Sequence, residues 1–154
     1  MRHTDRLRSH NRRYENGGSV EADAKSELDR LMSVLFGAFT NVGGIRPNLT
    51  AVRDVFIPQG MIIKNVGGET RVYDLDAFIT PREKILTDGT LTEFSEWEVA
   101  ERTEIFGSIA HRFSAYGKSG YRNGEWFEGS GHKTTQFIRT PGGWKAISLA
   151  WDDL

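Results

Sequence analysis

From Ser19 onward, apolar and polar positions fall into a helical rhythm. Leu28, Leu31, Met32, Leu35 and Phe39 recur at the spacing of one helix face. Ser19 is placed to cap that helix, Glu21 and Asp23 suit its first turn, and Gly43-Gly44 marks its end. A short helix is expected after Pro47, with Leu49, Val52 and Phe56 inward and Pro58 and Gly60 as stops. Met61-Ile62-Ile63-Lys64 reads as a short buried strand with a turn at Gly67-Gly68. Asp74 then caps a stretch carrying Leu75, Phe78 and Ile79. Pro81 breaks its regularity, but Thr80-Pro81-Arg82-Glu83 is itself a good helix start. The segment is therefore one kinked helix or two short ones, ending near Asp88-Gly89.

Beyond residue 90 the rhythm changes to alternation. Trp97, Val99, Glu101, Thr103 and Ile105 form one set, and Ile109, His111, Phe113 and Ala115 form another after Gly107. Two registers join them. A three-residue turn over Phe106-Gly107-Ser108 sets Ile105 against Ile109, Thr103 against His111 and Glu101 against Phe113. It gathers both apolar sets on one face and is preferred on that ground. A two-residue turn sets Glu104 against His111 and mixes the faces. Residues 117–131 read as a glycine-rich excursion holding Tyr121, Trp126 and Phe127. Strands over His132–Thr140 and Gly143–Asp152 follow, joined at Pro141-Gly142. Helices first and a strand meander afterwards predict an α+β domain with helices on one sheet face.

Length and composition narrow the chemistry. The 154 residues suffice for one domain with its own core. Twenty basic and 21 acidic side chains leave a net charge of -1, against a nucleic-acid partner. Five arginines of residues 1–18 face only Asp5 and Glu15. The remainder holds 15 basic and 19 acidic residues, a net of -4. Residues 1–18 thus read as a basic tail, free or touching an anion, ahead of a domain at 19–154. Cysteine is absent, which excludes disulfides and thiolate chemistry. No apolar run spans a membrane and no secretory apolar region opens the chain, so the expected location is cytoplasmic. Phosphate-binding glycine loops, HExxH and GxSxG are missing. His111 and His132 alone do not make a metal site, and no metal or cofactor is expected.

What remains is a set of polar residues on apolar strand faces. In the preferred register His111 faces inward with Thr103 beside it and Glu101 one diagonal away. That arrangement suits a general base oriented by a carboxylate, or equally a histidine satisfied inside a core. Glu101 reads as a pocket carboxylate with a raised pKa, or as a sheet-end residue that reaches water or pairs with arginine. Tyr73 is placed to donate to a ligand oxygen. Trp126 and Phe127 read as a lid or as a patch for a partner.

Three stretches carry a family resemblance: Leu35-Phe36-Gly37-Ala38-Phe39, Phe106-Gly107-Ser108-Ile109-Ala110-His111 and Gly142-Gly143-Trp144-Lys145-Ala146-Ile147. From about Ala22 onward the chain resembles the nuclear transport factor 2-like superfamily. This is the cone fold of ketosteroid isomerases, SnoaL-type polyketide cyclases and scytalone dehydratase, and the chain is most similar to its uncharacterised bacterial branch. The resemblance implies a strongly curved antiparallel or mixed sheet (a cystatin-like cone) around a long helix, a pocket at the wide end, and homodimers formed through the sheet. Acid–base sets known in that superfamily do not map onto this chain residue by residue. The nearest equivalents are His111, Glu101 and Tyr73. The expected function is binding of a small hydrophobic molecule, with cofactor-independent isomerase, dehydratase or cyclase chemistry. The alternative is a non-catalytic binding or assembly module acting as a homodimer. Expected ligand contacts are Phe39, Tyr73, Trp97, Thr103, His111, Phe113, Gln136 and Trp151.

Overall fold

The computed structural model describes residues 4–154, with side chains from Val20 onward. Helix α1 spans Thr4–Gly37. It runs through Gly17-Gly18, so Ser19 lies inside the helix and does not cap it. A glycine costs only about 1 kcal/mol against alanine in a helix, too little to force a break. Leu28, Leu31, Met32, Leu35 and Phe36 form its buried stripe, and Phe39 continues that stripe past the helix end. Helix α2, Thr50–Val55, buries Ala51, Val52 and Val55. Helix α3, Leu75–Thr87, is capped by Asp74, whose Oδ1 accepts from the Ala77 N–H at 2.7 Å. Pro81 sits within this single helix, so the two-helix option does not apply.

Six strands form one mixed sheet in the order β2-β1-β6-β5-β4-β3. β1 is Phe56–Val66, β2 Glu69–Tyr73, β3 Leu91–Phe106, β4 Ile109–Arg122, β5 Glu125–Thr140 and β6 Gly143–Asp153. β1 and β6 run parallel and every other neighbouring pair runs antiparallel. Pro58 and Gly60 lie inside β1 and do not end a helix. A shift in the β1–β6 pairing between Phe56 and Met61 accommodates them.

The β3–β4 turn has two residues, which overturns the preferred register. Phe106 pairs with Ile109, Glu104 with His111, Thr103 with Arg112 and Glu101 with Ser114. Gly107 has φ +61°, the first central position of a type II′ turn, whose twist matches the flanking strands. The supposed excursion at 117–131 is also a hairpin. Asn123 and Gly124, both with positive φ, join β4 to β5, and Tyr121 pairs with Trp126 across the turn.

The core lies between the helices and the inner sheet face. Ala110, Tyr116, Phe137, Ala146 and Leu149 contribute the sheet side of this core. Asn41 ties the wall of this core together. Its amide donates to the carbonyls of Leu86 (2.9 Å) and Leu91 (2.7 Å) and accepts from the Phe94 N–H (2.8 Å). These bonds fix the end of α1 to the end of α3 and the start of β3. They satisfy a buried side chain that would otherwise cost folding free energy.

Candidate functional site

A cavity of about 480 Å³ opens among the end of α1, the body of α3 and the inner sheet face. Its apolar wall comes from Leu35 and Phe39 beside α1, Ile85 and Leu86 on α3, and Phe94 and Phe127 on β3 and β5. Phe94 and Phe127 stack, with ring centroids 6.3 Å apart. The strand period of two aims Ile62 and Lys64, Tyr116 and Lys118, and Leu149, Trp151 and Asp153 into the same space.

The polar side of the cavity is built from linked pairs. The Tyr116 hydroxyl donates to Asp153 Oδ1, which also meets Lys118 Nζ at 3.1 Å. Burial, then Asp153, pushes the Tyr116 phenol far above its ordinary pKa, so it stays protonated. Burial alone would raise the Asp153 pKa. The Tyr116 hydrogen bond and Lys118 outweigh it, and the carboxyl titrates below its ordinary range. Lys133 Nζ meets Glu96 Oε1 at 2.7 Å, both side chains nearly buried, and stands 4.2 Å from the Tyr116 ring centroid.

Arg82, on α3, lies with its guanidinium 3.8 Å from the Phe78 ring centroid and 5.4 Å from that of Trp151. It donates to the Phe78 carbonyl at 3.1 Å. Among the described residues it has no carboxylate within salt-bridge distance. Burial pulls its pKa down, although arginine stays charged.

Of the residues expected from the sequence, Phe39 and Trp151 line this cavity. Tyr73 is half-buried and packs behind it, against Phe78 and under Arg82. The two-residue turn moves His111, Phe113 and Gln136 to the outer sheet face. There His111 Nε2 lies 3.7 Å from Glu104 Oε1, and Phe113 packs on His132. The expected inward imidazole is thus corrected: His111 is exposed, and the register is the reason. Trp97 is also largely exposed and covers Gly117.

Glu101 and Thr103 belong to an ionic cluster between α1 and the inner side of β3 and β4. Its centre is Arg112, only 3% exposed. Arg112 donates to Glu98 through Nη2 (2.5 Å) and Nε (3.2 Å), and to Asp29 through Nη1 (2.5 Å). Glu101 takes Lys25 at 2.8 Å and the Thr103 hydroxyl at 2.6 Å. Burial would raise the Glu101 pKa, but Lys25, Thr103 and Arg112 together lower it. Glu101 is therefore a carboxylate paired chiefly to Lys25, with Arg112 farther off at 3.8 Å, and the raised-pKa reading does not describe it. His111, Glu101 and Tyr73 do not converge on one point. The sequence signal for this cavity is the inward alternation on β4 and β6, where Tyr116 and Lys118, then Trp151 and Asp153, close otherwise apolar sets.

No family model and no curated protein matches the sequence. Solved structures do. A nuclear transport factor 2-like superfamily protein from Salmonella enterica serovar Typhimurium superposes with a TM-score of 0.70 at 12% identity, over 86% of this chain and 92% of that one. The chain has the nuclear transport factor 2-like fold. A second protein of this cystatin-like cone, from Novosphingobium aromaticivorans, matches with a TM-score of 0.69 at 15% identity, covering 90% of this chain and 87% of its own. Another from that organism, named as a candidate aromatic ring hydroxylase, matches at 0.67 and 16% identity, over 86% and 90%. In the cone fold of this chain, the cavity lies between the helices and the sheet. Among the described residues no helix is long and apolar enough to cross a membrane, and no group of three His, Asp or Glu side chains is placed to hold a metal.

Proposed function

We propose that this chain is a small-molecule-binding protein whose cone cavity receives a predominantly apolar organic ligand. The observation that carries this reading is the cavity. Its volume of about 480 Å³ falls within the range of small-molecule sites, and apolar walls meet a few convergent polar groups. The test is a thermal-shift screen of small hydrophobic acids, amides and ketones. A ligand that binds only the folded chain at a hundred times its Kd adds about 2.7 kcal/mol of stability. A clear rise in Tm, lost when Leu35 is replaced by Trp to fill the cavity, supports the reading. No rise across the screen contradicts it.

A second reading is cofactor-independent acid–base chemistry, and Tyr116–Asp153 favours it. Here the reacting carboxylate is Asp153, in place of the His111, Glu101 and Tyr73 set. Asp153 is ionised at neutral pH but weakly basic, because it is already engaged by Tyr116 and Lys118. Binding without turnover is accordingly the first reading. Turnover abolished by Asp153→Asn reverses that order.

Assembly as a homodimer is part of the same proposal. Phe106 and Ile109, each 55% exposed, and Phe113 form an apolar patch on the outer sheet face, which a second copy would cover. Sedimentation showing a monomer at micromolar concentration contradicts that part.

A further inference from the structure

The cavity is markedly more cationic than the protein around it. Lys64, Arg82, Lys118, Arg122 and Lys133 reach its surface, against only Glu96 and Asp153. The lining thus carries a formal charge of +3 in a chain whose net charge is -1. Both carboxylates are already used: Glu96 by Lys133 and Asp153 by Lys118. Among the described residues, Lys64, Arg82 and Arg122 form no salt bridge.

Arg82 is the most informative of these. A guanidinium cannot shed its proton, so burial is tolerated only where something answers its charge. Here the answers are π faces, one carbonyl oxygen, the neighbouring Tyr73 hydroxyl and the more distant charge of Glu96. They leave most of its five N–H donors without a strong acceptor. Arg82 and Lys133 stand over the same Trp151 ring, at 5.4 and 5.6 Å from its centroid. The two cations therefore flank one aromatic surface at the polar side of the cavity. The apolar side chains of Leu35, Phe39, Ile85 and Phe127 line the same cavity.

Resting on the reading of the cavity as a ligand site, we propose that its ligand is an amphipathic organic carboxylate. The anionic head sits at Arg82 and the aromatic or branched body lies against the apolar wall. A planar carboxylate matches the fork of a guanidinium and supplies two acceptors at once. It also answers the excess positive charge of the lining, which a neutral ligand of the same shape does not. Arg82 acts here as a binding residue for the head group, with no part in bond making.

Isothermal titration with matched probe pairs tests this: benzoate against benzamide, 1-naphthoate against 1-naphthamide, and decanoate against decanamide. Carboxylates are expected to bind roughly ten- to a hundredfold more tightly than their amides, the range for hydrogen bonds to a charged group. The preference should shrink with added salt. It should fall in Arg82→Met, which keeps an apolar stem, and fall less in Lys64→Gln. Should Arg82→Met not fold, the salt series on the native chain and Lys64→Gln still decide. Equal binding of acids and amides overturns the carboxylate assignment and leaves the cavity as a ligand site. Binding of neither series overturns both.

Discussion

Arg112→Met removes the charge at the centre of the α1–β3–β4 cluster while keeping an apolar stem of similar length. In the native chain this guanidinium is buried and holds Glu98 through two nitrogens and Asp29 through a third contact. Removing one member of a buried ion pair costs about 3–5 kcal/mol, because the remaining charge loses its counterpart. The Ser114 hydroxyl still donates to Glu98 at 2.6 Å, which points to the lower half of that range. At this chain length each kcal/mol moves Tm by about 2–4 °C, so the expected drop is roughly 6–15 °C. The pH dependence gives a sharper readout. Burial alone would raise the pKa of Asp29 and Glu101, but their cationic partners, Arg112 among them, hold both below the ordinary range. Native stabilisation from these groups is therefore full above their unfolded pKa of about 4 and is lost as pH falls through the lowered folded values. Without Arg112 the folded values rise. Carboxylate repulsion is then greatest at neutral pH and is relieved on acidification. Urea unfolding of both proteins from pH 7 to about pH 5 should show the gap narrowing. A gap under about 1 kcal/mol at pH 7, or one that widens on acidification, refutes the cluster as described.

Other substitutions test other joints of the molecule. Asn41→Ala strands two buried carbonyls and one N–H, and at about 1 kcal/mol or more each should lower stability by roughly 3 kcal/mol in denaturant titration. Gly131→Ala puts a Cβ 2.3 Å from the Asp152 carbonyl oxygen and 2.6 Å from Tyr116 Oη, and should cost about 1–3 kcal/mol or more. Gly142→Ala, with nothing nearer than 3.8 Å, should stay within about 0.5 kcal/mol. The lowered pKa of Asp153 stabilises the fold at neutral pH and fails as pH falls through that value, so Asp153→Asn should flatten the acid limb of the stability curve below about pH 4. Asp74→Ala should lose about 1 kcal/mol through the missing cap of α3.

Much of the fold was legible because local physics and tertiary structure agree there. The stripe from Leu28 to Phe39, the Asp74 cap and the Gly67-Gly68 turn each state their geometry in a few residues. The site was less legible, and the cause is one inference about faces. Grouping apolar residues together favoured a register that turned His111 inward. The β3–β4 hairpin instead buries Arg112 and Ser114 and exposes Ile109 and Phe113. Alternation tells which residues share a face, but it does not tell which face meets the helices when both carry apolar side chains. The turn held the answer, since Gly107 at the first central position specifies a two-residue connection. Asn123-Gly124 carried an equally local hairpin signal inside a segment read as irregular. Its strand glycines make room for rings, with Gly117 under Trp97 and Gly131 against Tyr116. The cavity cations come from three different strands and a helix, so nothing short of the assembled sheet brings them together.

The most direct test of the cavity as the ligand site is a methyl-labelled NMR titration with 1-naphthoate. The account predicts shifts concentrated at Leu35, Ile62, Ile85 and Leu149 inside the cone, with Ile109 and Val72 on the outer face unmoved. Shifts centred on Ile109 and Val72, or none at the inner methyls at saturating ligand, would contradict it.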